Sequence, residues 1–252
     1  ILKESSVGAA KTFRIHSLEE IPSLISLMPG RDRYWVRVKT PGEAGAVTAT
    51  WVKTAEQAKM WIQLWHQLHG VEFSEFTISE ILPGRLFECL LLFYQGKLKI
   101  AKVYENIRYH AAEQKVSGMA STPGVARGCS DPVAITALKE AVRAVEVVGR
   151  HGHTKPHGIY HLSVKLDQRD YPCVTESNVG RFPSTCAFFE RIGKHSVAEL
   201  FIKYALGIPV EDLRDPFDLG DPSTYMIWAL GRVLTIKSQK EIEACQPFLW
   251  AG

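Results

Sequence analysis

Apolar positions along the chain change period, and the changes mark its elements. Helical spacing predicts four helices. Ser17-x-x-Glu20 reads as a capping box ahead of Ile21, Leu24, Ile25 and Met28, with Gly30 to stop the run. Thr54-x-x-Gln57 repeats the device before Ala58, Trp61, Ile62, Trp65 and Leu68, which recur at three- and four-residue steps and end at Gly70. Asp131 and Pro132 supply a cap and a first-turn proline for Ile135, Leu138, Val142 and Val145. Ser196 opens the last helix, which runs through Leu200, Phe201 and Tyr204 to Gly207 and Pro209. Between the helices the period falls to two or gives way to unbroken β-rich runs. Strands are therefore predicted over residues 34–39, 47–52, 72–82, 87–94, 98–104, 159–166 and 171–176. Tyr94-Gln95-Gly96-Lys97 and Asp167-Gln168-Arg169-Asp170 read as hairpin turns. Short helices among mostly antiparallel strands predict an α+β fold rather than a doubly wound sheet. Weak boundaries are expected in the loop over residues 39–46 and at Gly70, and no repeat or low-complexity tract is present.

Composition narrows the class without naming it. With 252 residues, 46% of them hydrophobic, the chain can bury one large core or two packed subdomains. A net charge of +3 is a small excess over many charges of both signs, and no Lys/Arg cluster suggests nucleic acid or a membrane surface. The longest apolar runs, such as residues 89–94, fall short of a membrane span, and no signal peptide is visible. Cys89, Cys129, Cys173, Cys186 and Cys245 are odd in number and lack metal-ligand spacing, which suits buried thiols in a reducing cytoplasm. Because the chain opens Ile1-Leu2 without Met, it is expected to be part of something longer.

The strongest chemical signal is Glu176-Ser177-Asn178-Val179-Gly180-Arg181-Phe182, at the end of a predicted strand. Residues two apart on a strand share a face, so an acidic and an amide oxygen converge there. These are hard ligands of the kind Mg²⁺ prefers, and Mg²⁺ keeps its remaining positions for water and nucleotide phosphates. An exposed Glu and Asn serving only as loop chemistry is the alternative reading. His151, His153, His157 and His161 are the densest histidine group, but their spacing matches neither a helical zinc motif nor a zinc finger. Three of the four fall in a Gly/Pro-containing loop and read as solvated, while His161, in a predicted strand, is left as a candidate cleft residue. Cys173 and Cys186 flank the Glu176 segment as small hydrophobes.

Taken in order, four segments resemble the ATP-grasp superfamily, in the branch similar to carbamoyl-phosphate synthetase large-chain domains and related carboxylate-amine ligases. The resemblance spans roughly Thr12 to Val210 and rests on the order and spacing of motifs. Tyr34-Trp35-Val36-Arg37-Val38-Lys39 followed by Gly42-Glu43-Ala44-Gly45-Ala46 is similar to a strand ending in a basic residue before a small-residue phosphate loop. Ser79-Glu80-Ile81-Leu82-Pro83-Gly84-Arg85 looks like the hinge strand along which adenine lies. Gly158-Ile159-Tyr160-His161-Leu162-Ser163-Val164-Lys165 is similar to the first metal-ligand strand, and Tyr171-Pro172-Cys173-Val174-Thr175-Glu176-Ser177-Asn178 to the second. Gly180-Arg181-Phe182 and Ala205-Leu206-Gly207-Ile208-Pro209 suit the segment beyond.

The resemblance implies an ATP-grasp fold, two α+β lobes with mostly antiparallel sheets clasping a nucleotide cleft. The lobes are expected over residues 1–78 and 79–252, with the family's leading α/β subdomain falling before Ile1. It implies ATP and Mg²⁺ as cofactors and a small-molecule carboxylate as substrate. Lys39, Gly42 and Gly45 would hold phosphate, since glycines admit main-chain N–H groups and a lysine adds a point charge; a solvated strand-end lysine beside a surface turn is the bland alternative. Glu80, Ile81 and Leu82 would line adenine, and Glu176 and Asn178 would hold Mg²⁺. Arg181 or Arg108 would face the acyl-phosphate side as the catalytic cation.

Three positions depart from the family. The residue expected to contact ribose falls on Leu86, with Glu88 two residues on as a cofactor-binding substitute whose role stays open. The first metal ligand falls on Ser163, a weaker ligand than a carboxylate. Asn106 lies where an arginine directed at the transferred phosphoryl is expected. An ATP-dependent ligase is therefore weighed against a degenerate domain that binds a nucleotide or a protein partner without turnover. The segment over residues 111–129, rich in small and polar residues, is expected to be a mobile lid.

Overall fold

The computed structural model describes residues 2, 5–29, 32–38, 46, 48–109, 123–228 and 235–244. These divide into two compact units. One takes the described residues of Ile1–Ala9, Pro83–Arg108 and Gly124–Gly252, the other those of Ala10–Leu82 and Tyr109–Pro123.

The unit containing Ala10–Leu82 is built from β1 (Thr12–Arg14), α1 (Ile21–Ser26), β2 (Tyr34–Val38), β3 (Thr50–Val52), α2 (Ala55–His69), a short 3₁₀ turn at Phe73–Glu75 and β4 (Phe76–Glu80). Its four strands pair in the order β1-β4-β2-β3, antiparallel throughout. Alternation in β2 sends Tyr34, Val36 and Val38 inward, where they meet Phe76 and Ile78 of β4 and Ala58 and Ile62 of α2. Thr54 caps α2 by accepting from Gln57 N, and Gly70 ends it at φ 67°, a left-handed conformation that glycine adopts without strain. Ser17 does not cap α1 as the capping box predicts. Glu20 is the cap residue, and its carboxylate accepts from the main-chain N–H groups of His16 and Ser17 while Pro22 stands in the first turn.

The larger unit begins with β5 (Leu86–Tyr94) and β6 (Lys97–Tyr109). It continues through β7 (Pro123–Gly128), α3 (Pro132–His151), β8 (Gly158–Leu166), β9 (Pro172–Val179), α4 (Cys186–Arg191), α5 (Val197–Ala205), β10 (Thr224–Ile227), β11 (Thr235–Ser238) and α6 (Gln239–Ala244). Seven strands form a sheet ordered β11-β10-β7-β6-β5-β8-β9. Both hairpin turns form as predicted: Gln95 and Gly96 take φ 50° and 85°, and Asp167 Oδ1 accepts from the N–H groups of Arg169 and Tyr171. β5 is apolar without alternation because both of its faces are covered. Phe87, Cys89, Leu91 and Phe93 pack with α3, and Leu90 and Leu92 pack with Phe188 and Phe189 of α4 and Val197 of α5. Each large side chain so buried contributes about 1.5–3 kcal/mol.

The lid expected over residues 111–129 requires correction. Pro123–Gly128 is a strand inside the seven-stranded sheet, and small residues are needed there: a Cβ on Gly128 would lie 2.2 Å from the Asp221 carbonyl oxygen. Residues 110–122 lie outside the described residues. β6 also outruns the predicted 98–104, because its polar continuation has partners. Arg85 makes paired bonds to Glu105 (2.8 and 2.9 Å) and to Asp131 (3.1 and 2.9 Å), and Arg127 reaches Glu105 at 2.6 Å. That network ties β5, β6 and β7 to the α3 cap, where Asp131 also accepts from Val133 and Ala134 N–H. Cys89, Cys129, Cys173 and Cys186 are free thiols, and Cys245 is outside the described residues.

Candidate metal and nucleotide site

Register in the larger sheet sets the chemistry. Glu88 of β5 lies opposite Ser163 of β8, which lies opposite Glu176 of β9. One step along, Leu90, His161 and Asn178 form the next row. Alternation therefore puts Glu88, Ser163, Glu176, His161 and Asn178 on a single face, the one that α4 and α5 cover further along. A bulge between Ser163 and Val164 of β8 absorbs Thr175 of β9 and re-aims the end of β9 that carries Glu176 and Asn178.

At the open edge of this face, Glu176 is exposed and Asn178 half-buried. Asn178 Nδ2 donates to Glu176 Oε1 at 3.0 Å, and Arg181 Nη2 donates to Asn178 Oδ1 at 2.5 Å. The sequence-predicted acid, amide and arginine thus meet in one cluster. Deeper on the face, Glu88 is 5% exposed and accepts from Ser163 Oγ at 2.7 Å. His161 Nε2 stands 3.2 Å from the same Glu88 oxygen, yet the imidazole is not aligned to donate to it and Nε2 is left without a hydrogen bond. Asn106 of β6 lies opposite Leu86, one diagonal step from Glu88, and is 8% exposed with neither amide atom hydrogen-bonded. A buried amide left unpaired costs about 1–3 kcal/mol, so it marks a place where a ligand atom would be stabilising. Lys165, two residues beyond Ser163, is drawn below the ordinary lysine pKa by burial, and no acidic side chain pairs with it among the described residues.

The donors suit a hard divalent cation: carboxylate and amide oxygens two residues apart on β9, on the same sheet face as a buried amide without partners. Among the described residues no three His, Cys, Asp or Glu side chains converge as ligands, so water or phosphate oxygens would have to complete the shell. His151, His153 and His157 are exposed and away from this row, as solvated residues should be. Arg108, next to last in β6, is half-buried. The cover over the site face is anchored by Lys102, whose ammonium donates to the carbonyls of Phe189 (2.8 Å) and Ile192 (2.7 Å) and pairs with Asp218 at 3.3 Å. Burial lowers the Lys102 pKa, and Asp218 opposes that fall.

In the other unit, Glu80 closes β4 with its carboxylate accepting from Lys11 N. Ile81 is half-buried and Leu82 buried beyond it. Lys39, Gly42 and Gly45 lie outside the described residues. Neither the Glu88–Ser163 bond nor Lys165 stands out in the sequence. The signal available for Lys165 was its place two residues from Ser163 on a strand.

An α+β chain whose two sheets are mostly antiparallel, with an acid and an amide two residues apart on the edge strand of the larger, defines a class of fold. That fold is the ATP-grasp fold. The chain is similar to biotin carboxylase from Campylobacter jejuni, solved as a β,γ-ATP complex, with a TM-score of 0.65 and 11% identity over 90% of this chain and 48% of that one. It is similar to carboxyaminoimidazole ribonucleotide synthase from Aspergillus clavatus complexed with ATP, with a TM-score of 0.63 and 11% identity over 90% and 53% of the two chains. L-amino acid ligase from Bacillus licheniformis matches with a TM-score of 0.57 and 15% identity over 89% and 50%. The chain thus spans about half the length of these structures. No family model and no curated protein matches it. No helix among the described residues is long and apolar enough to cross a membrane.

Proposed function

We propose that this protein is an ATP-dependent ligase that activates a small-molecule carboxylate for attack by an amine or another nucleophile. The observation that carries the reading is the hydrogen-bonded cluster of Glu176 and Asn178 on one face of β9 with Arg181 just beyond it, in an ATP-grasp fold. Glu176 and Asn178 would hold Mg²⁺, which when bound would neutralise phosphate charge. ATP would donate its γ-phosphoryl group to the carboxylate oxygen, releasing ADP, and the nucleophile would then displace phosphate from the acyl carbon. Arg181 holds Asn178 in place and, with Arg108 as the other candidate, presents positive charge to the phosphoryl oxygens. Lys39, Gly42 and Gly45 are assigned to phosphate and Glu80, Ile81 and Leu82 to adenine. Catalysis of this kind is mainly positioning and charge neutralisation.

A second reading, nucleotide binding without turnover, is favoured by Ser163 at a position where an acidic or Gln ligand is expected. Release of ADP from Mg-ATP, measured across a panel of carboxylic and amino acids, separates the two. The ligase reading expects release that rises with one carboxylate or carboxylate–amine pair. Tight Mg-ATP binding with release at the no-acid background throughout would establish the second reading instead.

A further inference from the structure

At Ser163 a hydroxyl stands where the resemblance implies an acidic or Gln ligand, and the next strand carries a carboxylate in the same row. Glu88, Ser163 and Glu176 occupy consecutive strands β5, β8 and β9 in direct register. Neighbouring strands lie about 4.8 Å apart, so Glu88 and Glu176 flank Ser163 with backbones about 10 Å from each other. Glu88 is 5% exposed, accepts from the Ser163 hydroxyl and has the His161 imidazole 3.2 Å away without a hydrogen bond between them. No lysine or arginine pairs with it among the described residues: Lys165 shares the face unpaired, and Lys102 is committed to Phe189, Ile192 and Asp218. A carboxylate this buried with no lysine or arginine beside it, only an imidazole not aligned to donate to it, is unusual, because burying charge is costly unless it is balanced. Asn106 supplies an independent sign of a ligand on this face, with both amide atoms buried and unpartnered one diagonal step from Glu88.

We infer that Glu88 takes the place of the acidic or Gln ligand missing at Ser163, so that this chain would hold its divalent cation with an acid moved one strand inward and oriented by the Ser163 hydroxyl. The inference rests on the metal-nucleotide reading above and gives Glu88 a metal role where the sequence suggested ribose.

The test is Mn²⁺ binding, followed by electron paramagnetic resonance in the presence of a non-hydrolysable ATP analogue, for the protein and for Glu88→Gln, Ser163→Glu and the double variant. Glu88→Gln is expected to weaken Mn²⁺ at least about tenfold, as loss of a ligand or its orienting partner does. The double variant, which returns the acid to β8, is expected to recover to within about threefold of the parent protein. Wild-type affinity in Glu88→Gln would overturn the inference. So would a loss that Ser163→Glu does not rescue, since that would mark Glu88 as a structural group. Absence of Mn²⁺ and analogue binding in the unaltered protein would instead sink the metal-nucleotide reading, and this inference with it.

Discussion

Glu176 shows how a single residue can be tested for function apart from folding. Its side chain is exposed, and its hydrogen-bond partner is Asn178 on the same strand. Glu176→Ala should therefore change the unfolding free energy by no more than about 0.5 kcal/mol, the usual range for a surface position, while abolishing most cation affinity. Urea unfolding checks the first half, and a fall of several kcal/mol would make Glu176 a structural residue. At this scale the sequence exposes Glu176 and Asn178 readily, because spacing by two on a strand is local information. It conceals the bond between Ser163 and Glu88. Those residues are 75 positions apart, and β5 has its hairpin partner β6 on one side and the distant β8 on the other. Nothing short-range records that second pairing.

Among the elements, the helices with side-chain caps are legible, and Thr54, Asp131 and Ser196 each cap as their sequences predict. α4 and α6 have six residues each and β1 has three, too few for a period to emerge. The far end of β6 is hidden for another reason. Glu105 and Asn106 are polar and buried, so they break the apolar pattern, and Glu105 is retained by its guanidinium partners. This clamp gives a pH prediction. Burial acts to raise the Glu105 pKa, but the hydrogen bonds from Arg85 and Arg127 outweigh it and leave the carboxyl below its usual 4.5. Asp131 is held below 3.8, first by its bond to Arg85. Depressed folded-state values mean that the clamp stabilises fully above the unfolded pKa values and is lost as pH falls through the folded ones. Thermal unfolding should therefore drop progressively below about pH 4.5, and Arg85→Gln should flatten that acid limb while lowering stability near neutrality. An unchanged acid limb in Arg85→Gln would remove the clamp from the account.

The molecule as a whole joins a fold legible from its alternating periods to a site only partly written in local pattern. The α+β class follows from helices of 3.6 period set among antiparallel strands, and the ATP-grasp fold agrees with solved structures at 11–15% identity. The central claim is that Glu176 and Asn178 serve a metal-bound nucleotide, and titration calorimetry with ATP, with and without Mg²⁺, tests it most directly. The account predicts saturable binding that requires Mg²⁺ and weakens at least about tenfold in Glu176→Ala. Binding that is indifferent to both the metal and Glu176, or no binding at millimolar ATP, would contradict it.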